Sequence, residues 1–203
     1  MAGYGGSVRV TLAGSRYFGT AALEVLRKEA VDIARVVVPH GDDRLAAAAR
    51  DAGLEVFVLE DPMHVPAHAV APRTDLIVSA HSHARVSSEA LAASRLGGIG
   101  FHPSLLPRHR GMAAVEWTIK EGDPIAGGTI YHLADQMDAG AIAAQDWCFV
   151  RKGETARELW ERALAPMGLR LLEQVIRHVK DTGALPARPQ DEQFATRAPR
   201  LDT

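Results

Sequence analysis

The sequence predicts an α/β protein: a doubly wound, mostly parallel sheet with helices on both faces. Two observations carry this. Short apolar runs rich in β-branched residues alternate with stretches whose apolar residues recur at helical spacing. The turns between them are brief and glycine-bearing, as at Gly14-Ser15 directly after the first run.

In chain order, residues 8–13 read as a buried strand, 21–30 as an amphipathic helix, 31–39 as a second strand and 42–52 as an alanine-rich helix. Residues 54–59 are a third strand, and residues 60–73, with three prolines, a loop. A fourth strand over 75–79, a short helix over 87–94 and a fifth strand over 97–101 follow. Residues 113–121 are helical, and 127–133 and 141–150 are two more strands around a turn at Asp138. The longest helix covers 155–180, with Leu159, Leu164, Met167, Leu171, Leu172, Val175 and Val179 near one face. Residues 1–183 thus form one domain, and 184–203, with its prolines and arginines, an extended arm. The long helix and the arm offer a surface for a homodimer.

Composition excludes several classes of function. A net charge of −2 gives no overall attraction to nucleic acid or membrane. Cys148 is the only cysteine, so no internal disulfide forms and a reducing compartment is expected. The start, Met-Ala-Gly-Tyr-Gly-Gly-Ser, has no basic region ahead of an apolar run, so no secretory leader is expected. No apolar run approaches the roughly 20 residues of a membrane helix. These features predict a soluble, cytoplasmic protein.

Sites in open parallel sheets lie beyond the C-terminal strand ends, which singles out the loops at Gly14, His81 and His102. Gly14-Ser15-Arg16 is neither a Gly-x-Gly-x-x-Gly fingerprint nor a P-loop, which argues against a nucleotide-binding oxidoreductase. It is a tight turn, or a backbone loop close to a ligand. His81 and His83 lack the cysteines or acidic cluster that would complete a metal shell; they line a pocket or face solvent. His102 ends an apolar run and precedes Pro103 and Pro107, whose fixed φ stiffens the loop. Leu106-Pro107 is a candidate for the cis form. His102 and Asp138 read as partners across a cleft, catalytic or structural. Arg16, Arg108 and Arg110 flank that cleft, either as solvated charge or as anchors for an anion.

Phe101-His102-Pro103-Ser104-Leu105-Leu106-Pro107-Arg108-His109-Arg110-Gly111, with Asp138-Ala139-Gly140-Ala141-Ile142, resembles the folate-dependent formyltransferase family. The resemblance runs from Val8 to about Pro186, and in the Gly14 turn and the Arg108-His109-Arg110 loop it is nearest to the hydrolase domain of 10-formyltetrahydrofolate dehydrogenase. It implies the Rossmann-like formyltransferase fold, a catalytic domain over 1–183, and 10-formyltetrahydrofolate as co-substrate. It implies His102 and Asp138 as the catalytic pair, with no metal required. The folate would be held by Ser79, Ala80, His81, Ser82, His83, Ala84, Arg85 and Val86, and by Ala134, Asp135, Gln136, Met137 and Gly140. The acceptor side would be Gly14, Ser15, Arg16, Gly100, Ser104, Arg108 and Arg110. The acceptor itself would be a small-molecule amine or water.

In the chemistry so implied, a nucleophile attacks the formyl carbon and His102 donates to the oxygen that gains charge, an interaction commonly worth several kcal/mol. Asp138 sets the imidazole's tautomer and can take the nucleophile's proton. One departure stands out. The transferases of this family carry Asn two residues before the His; here that residue is Gly100, which has no side-chain donor. Hydrolysis of the formyl group, or folate binding without catalysis, are therefore alternatives to transfer.

Overall fold

A computed structural model describes residues 7–82 and 84–201. By their internal contacts the residues divide into two compact units, Met1–Gly100 with Ile176–Leu185, and Phe101–Val175 with Pro186–Thr203.

The first unit holds β1 (Arg9–Gly14), α1 (Arg16–Lys28), β2 (Asp32–Val38), α2 (Arg44–Asp51), β3 (Val56–Val58), β4 (His64–Val65), β5 (Leu76–Ala80), β6 (Arg85–Val86), α3 (Ser88–Ala92) and the opening residues of β7 (Gly98–His102). The sheet is parallel in the order β3-β2-β1-β5-β7, the α/β architecture the sequence predicts. Parallel strands covered on both faces are apolar along their length; Val10, Leu12, Val36, Val38, Leu76, Ile77 and Ile99 are all fully buried. Each such side chain contributes about 1.5–3 kcal/mol by leaving water. The order reverses between β1 and β5. α1 and α2 pack on each other, and the right-handed rule for parallel crossovers puts the helices before and after this reversal on opposite faces. This reversal is the position where open α/β sheets bind ligands.

Buried Thr11, Thr74 and Glu29 of this unit have hydrogen-bond partners. The Thr11 and Thr74 hydroxyls lie 2.7 Å apart, and Thr11 Oγ1 also accepts from Ala71 N–H. Buried Glu29 accepts from Arg177 Nη2 at 2.9 Å, tying α1's C-terminal end to residues 176–185.

The second unit holds the rest of β7, α4 (Ala114–Lys120), β8 (Ile125–His132), β9 (Ile142–Phe149), α5 (Ala156–Leu159) and the first part of α6 (Ala165–Thr182). β8 and β9 pair antiparallel, with a bulge at Ile130/Tyr131 that leaves Ala143 out of register. Thr155 and Glu158 form a reciprocal capping box at the start of α5.

Several boundaries differ from expectation. α1 begins at Arg16 rather than at residue 21, and buries Phe18 and Gly19 in its first turns. The helix expected over 155–180 is interrupted by a π-helical turn, Trp160–Leu164, where Ala165 N–H bonds Trp160 O. Pro166 is the cause: it has no N–H for the Arg162 carbonyl and its ring crowds that oxygen. The loop over 60–73 contains β4, which pairs with β6, and a 3-10 turn at Ala67–Ala69. No helix among the described residues is long and apolar enough to cross a membrane.

Candidate active site

The site in the second unit is built by β7, the loop after it, and the turn between β8 and β9. β7 ends at His102, whose side chain is 7% exposed. Its Nε2 lies 2.7 Å from the His109 carbonyl. A carbonyl only accepts, so Nε2 carries the proton. The other nitrogen, Nδ1, faces Asp138 Oδ2 at 3.5 Å, beyond an ordinary hydrogen bond, so each group keeps capacity for a third partner. Sequence reasoning expected Asp138 to fix the tautomer. The backbone of His109 does so instead.

Asp138 is buried and held in a left-handed conformation, φ 55°. Its Oδ2 accepts from Gly111 N–H at 2.8 Å and its Oδ1 from the Tyr131 hydroxyl at 2.7 Å. Burial, and then the charge and hydrogen bond of Asp138, push the Tyr131 phenol well above its usual 10.0. Tyr131 therefore remains a donor at neutral pH. Gly140 closes the turn against β8: a Cβ there would come within 1.8 Å of the His132 carbonyl oxygen, so glycine is required. Ala134, Asp135, Gln136 and Met137 are exposed on the same turn.

The loop from 103 to 110 is a scaffold. Leu106-Pro107 is cis. Buried Ser104 donates to Arg108 O at 2.6 Å, and its carbonyl accepts from Thr129 Oγ1 at 2.7 Å. Arg108 bonds Asp123 through Nε at 2.9 Å and Nη2 at 2.7 Å, and Glu121 at 2.6 Å. Arg110 is buried and bonds Gln190 and Glu192. These three residues, expected on the substrate side with solvated charge as the alternative for the arginines, all make bonds within the protein, and Arg108 remains 40% exposed. His109 Nε2 lies 2.7 Å from Asp123 Oδ2, while its buried Nδ1 has no hydrogen-bond partner among the described residues. Burial opposes ionisation of Asp123, but the bonds from Arg108 and His109 outweigh it and hold the carboxyl below its ordinary value. His109, Glu121 and Asp123 have the donor types for a metal ion, but the Arg108 cation already bonds both carboxylates.

In the first unit, the predicted residues after β1 and β5 meet at the switch point. Gly14 pairs with Ala80 and Ser79 with Gly100. A Cβ on Gly14 would stand 2.6 Å from the Ala80 carbonyl oxygen, so glycine is needed for this approach. Ser15 Oγ donates to His81 O at 2.7 Å. Arg16, φ 58°, donates its N–H to Asp43 Oδ1 at 3.0 Å, and Asp43 also caps α2. Ser82 Oγ accepts from Ala84 N–H. Arg85 and Val86 lie in β6, with Ala84 and Val86 buried and Arg85 exposed. His83 lies outside the described residues.

Sequence reasoning did not single out Tyr131, Asp123 or Gln190. Tyr131 left a faint trace, an aromatic residue with a hydroxyl on a strand seven positions before Asp138. Asp123 and Gln190 left none, because their partners are distant in sequence.

The formyl transferase family model matches residues 9–176. Mouse cytosolic 10-formyltetrahydrofolate dehydrogenase is 33% identical over 200 residues, 93% of this chain and 22% of that protein. Methionyl-tRNA formyltransferase of Chlorobium limicola is 27% identical, over 96% of this chain and 65% of that protein. The chain thus spans about a fifth of the length of the dehydrogenases it matches. Among solved structures, the Helicobacter canadensis N-formyltransferase, in complex with folinic acid and dTDP-3-aminofucose, gives a TM-score of 0.78 at 18% identity, covering 95% of this chain and 71% of that one. Glycinamide ribonucleotide transformylase 1 of Symbiobacterium toebii gives 0.74 at 23% identity, covering 91% and 95%; at these identities the structures support the fold alone. With the family model spanning most of the chain, His102 and Asp138 included, the protein belongs to the formyl transferase family.

Proposed function

We propose that this protein takes the formyl group of 10-formyltetrahydrofolate and passes it to an amine of a small molecule, with His102 and Asp138 as the catalytic residues. The observation that carries this is the imidazole fixed at Nε2 by a backbone carbonyl, with Nδ1 directed at a buried carboxylate. Among the similar proteins, the dehydrogenase is named for 10-formyltetrahydrofolate, and the Helicobacter canadensis N-formyltransferase structure is a complex with folinic acid.

The amine attacks the formyl carbon, and negative charge collects on the formyl oxygen. His102, protonated at both nitrogens, donates Nδ1–H to that oxygen, while Asp138 balances the imidazolium and accepts the nucleophile's proton. Collapse of the intermediate breaks the bond to the folate N10, which leaves with a proton, giving the formamide and tetrahydrofolate. The exposed turn over 134–137 is assigned to the folate, and the paired strand ends at Gly14–Arg16 and Ser79–Ser82 to ligand binding in the first unit.

A second reading is favoured by Gly100, which supplies no side-chain donor: water replaces the amine and formate is released. Consumption of 10-formyltetrahydrofolate, measured with and without a panel of amines, separates the two. Amine-dependent loss of the formyl group supports transfer, and formate release without amine supports hydrolysis. Absence of consumption under every condition rejects both. Gly100→Asn should raise transfer if transfer is native.

A further inference from the structure

We propose that Gln190, in the C-terminal segment, is a positioning residue that holds Asp138 in its working conformation; the proposal rests on the catalytic role assigned to Asp138 above. The side chain works in two directions. Its Nε2 donates to the Asp138 carbonyl at 2.8 Å and to the Gly140 carbonyl at 2.7 Å. Its Oε1 accepts from Arg110 Nη2 at 2.7 Å and Nε at 3.1 Å. One amide therefore joins the loop that carries His109, on whose carbonyl His102 rests, to the turn that carries Asp138.

The surrounding segment is fastened along the same loop. Thr196 Oγ1 accepts from His109 N–H at 2.8 Å, Thr196 O accepts from Arg110 N–H at 2.9 Å, and Ala198 N–H donates to Arg110 O at 2.7 Å. Of the arm expected over 184–203, residues from Pro186 onward belong to the second unit. Asp138 needs such support. A non-glycine residue at φ 55° is in a sparsely populated conformation, which persists only where neighbouring bonds over-determine it.

Replacing Gln190 by Glu tests this. Glutamate keeps an acceptor for Arg110, and adds charge to that pair, but cannot donate to the two carbonyls. If the amide only anchors Arg110, Gln190→Glu behaves as wild type. If it positions Asp138, kcat for 10-formyltetrahydrofolate falls about tenfold, the scale of two lost hydrogen bonds, with KM within about twofold. The same variant should exchange the Gly111 amide faster, because that N–H is held by Asp138 Oδ2. Gln190→Met, of similar length and uncharged, guards against a folding defect caused by the carboxylate. Wild-type kcat and wild-type Gly111 exchange in either folded variant overturn the proposal. If wild-type protein consumes no formyl donor, the functional reading fails by itself. Gly111 exchange then decides: faster exchange in the variants supports the positioning role, and unchanged exchange refutes it.

Discussion

Two histidine–aspartate pairs stand seven residues apart at their imidazoles, and they have opposite characters. In both rings Nε2 makes the firm bond, to the His109 carbonyl for His102 and to the Asp123 carboxylate for His109. In both, Nδ1 is left over. For His109 that nitrogen is buried without a hydrogen-bond partner among the described residues, and Arg108 closes the carboxylate from its other side. For His102 it faces Asp138 across 3.5 Å, and the donors on that carboxylate are a backbone N–H and a neutral phenol, with no arginine among them. The difference teaches that residue type does not set how much hydrogen-bonding capacity a histidine–aspartate pair keeps. A pair neutralised by a guanidinium is a structural brace, whereas one held only by neutral donors keeps capacity for a substrate.

Breaking each pair should therefore give different losses. His102→Ala should lower turnover of 10-formyltetrahydrofolate about a hundredfold or more, the scale of a key oxyanion donor, far beyond what its loss of about 1 kcal/mol of stability, from the unpaired His109 carbonyl, would cause. Asp123→Ala should do the reverse. It strands Arg108 and His109 at a half-buried site, costs about 1–2 kcal/mol once the exposed Arg108 is discounted for screening, and lowers Tm by roughly 2–8 °C for a chain of this size, while turnover per folded molecule is retained. If both substitutions lower activity and stability alike, the distinction fails.

A finer test is Tyr131→Phe, which removes one neutral donor from Asp138. A hydrogen bond to a charged group is worth about 1.5 kcal/mol or more, so kcat should fall about tenfold. Because the phenol's folded pKa is raised above 10.0, its contribution to stability is complete below that pH and is lost as pH climbs through the folded value. Alkaline denaturation of the wild type should show this loss, and the Phe variant should lack it. The smallest effect is expected at Glu154, a braced carboxylate remote from any proposed chemistry. Arg162, by hydrogen bonding, draws its pKa from 4.5 down to about 2. Its stabilising contribution is present above pH 4.5 and disappears as pH falls through about 2. Glu154→Gln should be slightly less stable than wild type at pH 7 and indistinguishable from it near pH 2, with turnover unchanged.

The parallel strands of the first unit were legible because burial on both faces leaves an apolar run that needs no knowledge of neighbours. His102 and Asp138 were legible as residues, and the structure places them face to face. Their electrostatic setting was not. The group that fixes the His102 tautomer is a main-chain carbonyl, and every residue has one. Arg108 and Arg110 read as free cations because their partners, Asp123 and the Gln190–Glu192 segment, lie 15 and about 80 residues further along. The π-helical turn hid for a different reason: apolar spacing continued through Trp160–Leu164, and only Pro166 marked the interruption.

The missing side chain at Gly140 has a bearing on how this protein can diverge. With a carbonyl oxygen where a methyl group would have to sit, the hairpin tip cannot slide relative to its own stem, and the stretch from Tyr131 to Asp138 behaves as a ruler of fixed length. Sequence drift can repaint the exposed residues 134–137, but a single methyl at position 140 would collide with the His132 carbonyl and displace the turn that carries Asp138.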